Sequence, residues 1–429
     1  MSSFTTDTPI TLITERSSNE HYASVTVPSA TFNSSTVIVH FSIRGSLLNR
    51  NIASSIEAFK LGSKKITKFF PDKAIKARLI LDQIESFQDE DAMPELRTFI
   101  RTLKKETLKK GQLHDLSESL TVTSSQPPIL HALVFALGPH TFSQRSIHVE
   151  LLPDENGNFA SDSSSSGASS SSLFSVFRKS ATLDVLSIEH HGKVSFATLR
   201  ECHHVMCDMN SRQDLPLREL CLKGLTLSSK ANENPEEELS KLITICKNLD
   251  KIVLDDIQVQ DSTGSKRQMS FQYLGQAISS LKKLQVLEVS RLDLEQGCVE
   301  EMDAFTLPEM GGWRQFMASS TLQDSLRSLS MINCNISDIV TVSTLLHHKD
   351  GQRFPKLSKL DVSDNELVMV MHILSLRKAY GDEVVITDRE VADFAASEEV
   401  EEEKKQDEDE DDDDDVELLA DTFDCTQMY

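Results

Sequence analysis

The first residues that invite a chemical reading are CHHVMC, in which Cys202, His203, His204 and Cys207 lie close together. Thiolate and imidazole are natural zinc ligands, so a metal centre is the first chemistry to weigh. On a helix, however, neighbouring side chains point apart, and no second pair of ligands stands at a matching distance. His190 with His191 and His347 with His348 add histidine pairs without completing a site. There is no phosphate-binding glycine loop of the G-x-x-x-x-G-K-[ST] or G-x-G-x-x-G kind and no nucleophile elbow. No catalytic residue, metal or cofactor is expected, and the chain reads as a non-enzyme.

What remains is a set of charged side chains set among regularly spaced leucines. These are Glu189, Arg218, Lys223, Lys251, Asp255, Asp256, Glu288, Arg291, Arg327, Lys359, Asp361 and Asp364. Mixed charge of this kind suits steering and register on a protein partner. The plainer reading is a solvated strip, because charge keeps any exposed surface soluble.

The elements that must position them follow from a pattern, Leu-x-x-Leu-x-Leu, that occurs six times between Leu183 and Leu367. Its copies are Leu183, Leu186, Ile188; Leu217, Leu220, Leu222; Leu249, Ile252, Leu254; Leu284, Leu287, Val289; Leu326, Leu329, Met331; and Leu357, Leu360, Val362. They start roughly 31 to 42 residues apart, a period that signals stacked repeats. Residues two apart share a face of a strand, so the closing Leu-x-Leu points inward and its neighbours outward. Between copies, spacings such as Leu239, Leu242, Ile243 and Cys246 predict helices. Each unit therefore reads as a strand plus a helix. One unit cannot fold alone, since burying three strand residues yields about 1.5 to 3 kcal/mol each while ordering costs about 1.5 kcal/mol per residue.

This array resembles a leucine-rich repeat solenoid of the ribonuclease-inhibitor class. The resemblance implies an α/β fold with parallel strands on a concave face and helices on the convex face, and binding of another protein in the concavity. The family places Asn or Cys at the ninth position of its motif. Here Asn365 and Cys334 fit, whereas His191, Leu225, Ile257 and Leu292 take the matching places.

Five regions are expected. Residues 1–35 form a disordered or capping segment. HYASVTV, before residue 36, reads as a strand, and residues 36–160 are degenerate repeats or a separate α/β region, with STVIVHFSI, a run near Leu79, PPILHALVFAL and SIHVELL as strands. Within it, MPELRTFIRTLKKETLKKGQLHDLSESL reads as one or two basic helices. Residues 161–172 are a Ser-rich flexible loop, residues 173–394 the repeat array, and residues 395–429 an acidic disordered tail. Trp313 is expected to pack under a long loop, and VVITD to end the array as a capping strand.

Of the formal net charge of -23, about 15 come from Glu398 to Asp424. Nothing in the sequence resembles a membrane span or signal peptide, and the seven scattered cysteines suit a reducing compartment, cytoplasmic or nuclear. Without interleaved aromatics among the basic residues, direct nucleic-acid binding is not expected. The leading expectation is a protein-recognition scaffold whose tail attracts a basic partner. Repeats followed by an acidic stretch also resemble the Ran GTPase-activating proteins, implying a small GTPase as partner, and the acidic leucine-rich nuclear phosphoproteins, implying histone binding.

Overall fold

The computed structural model describes residues 10–18, 21–28, 35–46, 57–58, 61–62, 64–85, 101, 119–137, 146–153, 183–211, 215–230, 233–294, 311–334, 336, 345, 353–365 and 370–388. The chain divides into Met1–Ile386 and Thr387–Tyr429, and every element named here belongs to the first. The Ser-rich run, the acidic tail and most of the basic stretch from Met93 lie outside the described residues.

In chain order the strands are β1 (Ile10–Ser18), β2 (His21–Val27), β3 (Thr36–Ser46), β4 (Ala74–Glu85), β5 (Ser119–Ser124), β6 (Ser146–Leu151), β7 (Val185–Glu189), β8 (Lys193–Ser195) and β9 (Glu219–Lys223). They continue with β10 (Thr226–Ser228), β11 (Lys251–Asp255), β12 (Gln258–Gln260), β13 (Lys266–Gln268), β14 (Val286–Ser290), β15 (Ser328–Ile332), β16 (Lys359–Asp361) and β17 (Val385–Ile386). The helices are α1 (Pro127–Leu137), α2 (Phe196–Asn210), α3 (Pro235–Ile245), α4 (Phe271–Ser279), α5 (Gly311–Ala318), α6 (Ser320–Ser325) and α7 (Val370–Tyr380).

The fold is α/β, built on a 13-stranded sheet in the order β1-β2-β3-β4-β5-β6-β7-β9-β11-β14-β15-β16-β17. Pairing is antiparallel from β1 to β3 and parallel from β3 onward. All six leucine motifs contribute neighbouring strands, side by side and in register. Leu186, Leu220, Ile252, Leu287, Leu329 and Leu360 stand opposite one another in one inward column. The same column runs upstream through Ile147, Leu120 and Leu79 to Phe41. A second column joins Ile43, Leu81, Val122, Val149, Ile188, Leu222, Leu254, Val289 and Met331. Every one of these side chains is buried, which is the chief reason the strands hold this register.

A feature absent from the sequence reading lies between strand and helix. After β7, β9 and β11 the chain turns and adds β8, β10 and β12, which pair in parallel in a second sheet, closed on one side by the antiparallel β13. Val194, Leu227 and Val259 point into the core from these strands. The unit is thus strand, turn, short strand, helix. At the ninth position of their motifs Leu225, Ile257 and Leu292 form a buried apolar column, and the carbonyls of Leu225 and Ile257 accept from Gln258 N and Met269 N, both at 2.8 Å. Asn365 bonds to backbone on both sides of its turn. Its Oδ1 accepts from Cys334 N at 2.8 Å, and its Nδ2 donates to Met331 O at 2.7 Å and Val362 O at 2.9 Å.

Helix starts are locally encoded. Ser195 accepts from Thr198 N at the head of α2, and Asn234, with Pro235 in the first turn, caps α3 by accepting from Glu237 N.

Two expectations need correction. PPILHALVFAL is the helix α1, not a buried strand. An apolar run without alternation suits either element, and its length of 11 residues with proline in the first turn favours a helix. The basic stretch expected to be helical to Leu120 gives way to β5 at Ser119. Trp313 sits on α5, buried edge-on at 5.6 Å against Phe271 of α4 in the helix pair of α4 and α5. That pair is close because Gly275 of α4 faces Gly312 of α5, where a Cβ would come within 2.0 Å of the Gly312 carbonyl oxygen.

Asn365→Ala leaves a buried N–H and carbonyls without partners and should cost on the order of 3 kcal/mol, read as a lower urea midpoint. An unchanged midpoint in Asn365→Ala would remove its structural role.

Candidate functional site

The alternate strand residues, those between the inward columns, form the outer face of the large sheet. In register, one row runs His40, Arg78, Ser119, Ser146, Val185, Glu219, Lys251, Val286, Ser328, Lys359. The next runs Ser42, Ile80, Thr121, His148, Ser187, Cys221, Val253, Glu288, Ser330, Asp361. Glu150, Glu189, Lys223, Asp255 and Ser290 form part of a third. Adjacent strands lie about 4.8 Å apart, so side chains on one row are direct neighbours.

Seven of the twelve charged residues singled out in the sequence stand on this face: Glu189, Lys223, Lys251, Asp255, Glu288, Lys359 and Asp361. Asp256, Arg291 and Asp364 do not lie in strands. They occupy the turns that follow, with φ of 51, 52 and 58°. Gly224 and Asn333 hold the same place in their own units, at φ 70 and 51°. Each turn residue is held there by its own N–H: Gly224 donates to Asp255 O, Asp256 to Ser290 O, Arg291 to Ile332 O and Asn333 to Ser363 O, at 2.8 to 3.1 Å.

Arg218 and Arg327 likewise stand outside the strands, one residue before β9 and β15. They belong to the opposite end of the sheet, where a repeated backbone motif fixes them. Asp184 O accepts from both Arg218 N and Glu219 N, Arg218 O from Asp250 N and Lys251 N, Asp250 O from Gln285 N and Val286 N, and Gln285 O from Arg327 N and Ser328 N. Together with Lys282 and Lys283 these residues border an open cleft of about 570 Å³.

The charges on the outer face pair with one another, two of the pairs across strands and one, Lys359 with Asp361, within β16. Lys223 lies 3.5 Å from Glu189, Lys251 4.0 Å from Glu288, and Lys359 3.4 Å from Asp361. Arg291 reaches back to within 2.8 Å of Asp255 as an ion pair without hydrogen-bond geometry. Exposed pairs of this sort are each worth about 0 to 1 kcal/mol, so they tune a surface rather than hold a fold. Glu150 is different, because its neighbour across β6 and β7 is the like-charged Glu189. Burial, then the Glu189 carboxylate, pushes its acid above the usual value.

The upstream part of this face, including Glu150, His148 and Arg78, escaped the sequence reading, although the alternation in SIHVEL placed His148 and Glu150 on it. Thr123 and Asp82 show how tightly this part is knit: the Thr123 hydroxyl donates to Asp82 at 2.9 Å and accepts from Gln83 N at 2.6 Å.

His40 and His148 lie on the face and His191 in the turn after β7. Burial is the first cause that lowers each of them below the usual value; Arg78 adds to it for His40 and His148, while carboxylates oppose it for His148 and His191.

Among the described residues, no group of three or more metal-ligating side chains converges, and no helix is long and apolar enough to cross a membrane. The sequence matches no protein-family model and no curated protein.

Because the folded state disfavours the charged imidazole of these histidines, the unfolded chain takes up protons first as pH falls. Stability is therefore full above the ordinary value of 6.5 and is lost as pH falls through the lower folded values. The melting temperature should decline from pH 7 to 5.5, and His148→Gln should flatten that decline. A profile as steep in the variant would show that His148 does not contribute.

Proposed function

We propose that the chain is a leucine-rich repeat solenoid that recognises another protein on the outer face of its large sheet, and that it is not an enzyme. The observation that carries this reading is the side-by-side, in-register placement of all six leucine motifs. Stacked units give up one side of every strand to the shared core and present the other as a broad continuous surface, which is where repeat arrays bind.

The chemistry of that surface supports a protein partner. Its rows mix acidic, basic, hydroxyl and small apolar side chains, and the charges alternate from strand to strand. A surface so balanced gives little long-range pull on a polyanion, and instead favours a partner whose own charges can replace the internal pairs one by one. The acidic doublet of Glu150 and Glu189 is the place on the face where a partner's Lys or Arg would relieve repulsion outright. The acidic stretch from Glu398 to Asp424 supports a second, electrostatic contribution toward a basic partner, because closely spaced carboxylates raise the encounter rate and do so less at high salt.

Affinity capture from a cell extract with the full chain, followed by titration of the captured protein, tests this. Glu150→Lys with Glu288→Lys should weaken binding by about tenfold or more, since like-charge juxtaposition costs several kcal/mol. Truncation after Glu398 should chiefly reduce the salt dependence. Binding that survives the face substitutions and vanishes with the truncation would remove the sheet from the interface. If the captured partner is Ran and its GTP hydrolysis accelerates, the GTPase-activating alternative replaces the scaffold reading; a histone that binds only when the tail is present favours the phosphoprotein-like alternative.

A further inference from the structure

The CHHVMC segment has a use other than metal binding. It forms the middle of α2, where Cys202 and Met206 face the core while His203, His204 and Cys207 turn outward. Residues four apart share a helix face, and Cys207 Sγ stands 3.5 Å from His203 Nε2, within reach of a sulfur hydrogen bond. The other ring nitrogen, Nδ1, lies 3.6 Å from Glu238 Oε1 of the neighbouring helix α3, an ion-pair distance.

Glu238 is the second observation. It is buried, with 5% of its surface exposed, although an isolated carboxylate in such a place is costly. Its Oε2 has no hydrogen-bond partner among the described residues, while Oε1 accepts from Lys241 Nζ at 3.4 Å and has His203 Nδ1 at 3.6 Å. A carboxylate can only accept, so the tautomer that suits Glu238 carries its proton on Nδ1, and it leaves Nε2 as the acceptor facing the thiol. The charged and titratable groups around His203 are Glu238 and Lys241 on α3 and His204 and Cys207 on its own helix. Burial leads in holding the imidazole below its usual value, His204 and Lys241 add to this and Glu238 opposes it. Burial thus favours the neutral ring, the form that can take a proton.

We infer that Cys207 is a nucleophilic thiol, with His203 as its general base and Glu238 as the group that orients the ring, and that it forms a mixed disulfide with small disulfides. Nucleophile, base and orienting group are the three parts that such an activated side chain needs. In the step, the Cys207 proton passes to His203 Nε2 as Sγ attacks one sulfur of the reagent. The reagent's S–S bond breaks, a new S–S bond forms to Cys207, and the departing thiolate takes the proton from the imidazolium. Cys207 is oxidised and the released thiol is the reduced product, so no further oxidant is needed.

Exposure gives the site its selectivity. Cys207 is exposed, whereas Cys202, Cys246 and Cys334 are buried, and burial pushes the thiols of Cys246 and Cys334 up to about 12. Since the thiolate is the attacking species, these last two stay inert in the folded chain. The site lies on the helical layer, away from the outer face of the sheet, and the inference stands independently of the recognition reading.

The test is the rate of mixed-disulfide formation at each cysteine of the full chain with oxidised glutathione, resolved by peptide mass spectrometry across pH 6 to 9. Cys207→Ser serves as the assignment control. Cys207 is expected to react faster in the native protein than in guanidinium chloride. His203→Gln should slow it about tenfold or more at pH 7, as positioned general bases contribute about 10² to 10⁴-fold, and the difference should disappear in denaturant. Glu238→Gln should give a smaller loss and move the pH profile. Equal native rates in wild type and a folded His203→Gln variant overturn the inference. So does a wild-type Cys207 no faster folded than unfolded, a comparison that needs no variant.

Discussion

Register is the constraint on which the rest of the structure depends. Along a strand the side-chain period is two, so a slip of one residue between any neighbours would turn a whole row of leucines outward. From Phe41 in β3 to Leu360 in β16 the inward column is unbroken. Each strand buries its apolar pair against the strand before and the strand after. Stability is then shared between neighbours, and the ends matter more than the middle. At one end the antiparallel β1 and β2 break the parallel series, and at the other β17 is only two residues long. Short or redirected edge strands limit further pairing with other chains.

The same constraint separates the molecule's chemistry into two places. Once the inward columns are fixed, the intervening residues must face out together, and their charges meet across strands whether or not they were selected to. Lys223 with Glu189 and Lys251 with Glu288 are the result on the sheet. The helices turn their apolar sides to the core and leave polar residues to meet laterally. His203 and Glu238 come together across α2 and α3 in this way, although they lie far apart in sequence. A face built from strand repeats offers breadth for recognition. A pair of packed helices offers a few groups in fixed geometry, which is what local thiol chemistry requires.

How much of this was legible in the sequence depended on whether the signal was local. The six motifs, the strands HYASVTV and SIHVEL and the terminal VVITD were readable because alternation and β-branched residues are properties of a few consecutive positions. The α/β class followed from them. PPILHALVFAL was misread because an apolar run carries no period to distinguish helix from strand. The second sheet was missed because each of its strands is only three residues long, as in TLS or QVQ, too short for any pattern to emerge. On the face, Lys223 and Glu288 were found by their place between leucines, while Arg218 and Arg327 were misplaced by a single residue. The partnership of Cys207 with Glu238 was beyond sequence reasoning, since it depends on which helix packs beside α2.

The turns after the strands show a further way in which sequence conceals structure. Gly224, Asp256, Arg291, Asn333 and Asp364 all have positive φ, yet only the first is a glycine. For other residues that conformation costs about 1 to 2 kcal/mol, and it persists here because the first three donate their N–H to the last strand residue of the next unit and Asn333 donates to Ser363 O, two residues past β16. The cost is therefore offset by a bond that exists only when the next unit is in place. It follows that the turn residue is free to vary in type: the neighbouring backbone, not the side chain, enforces the geometry. That freedom is what allows an Asp in one unit and an Arg in the next to stand at the rim of the outer face, held as firmly as the strands themselves, and to vary the charge of that rim without altering the fold beneath it.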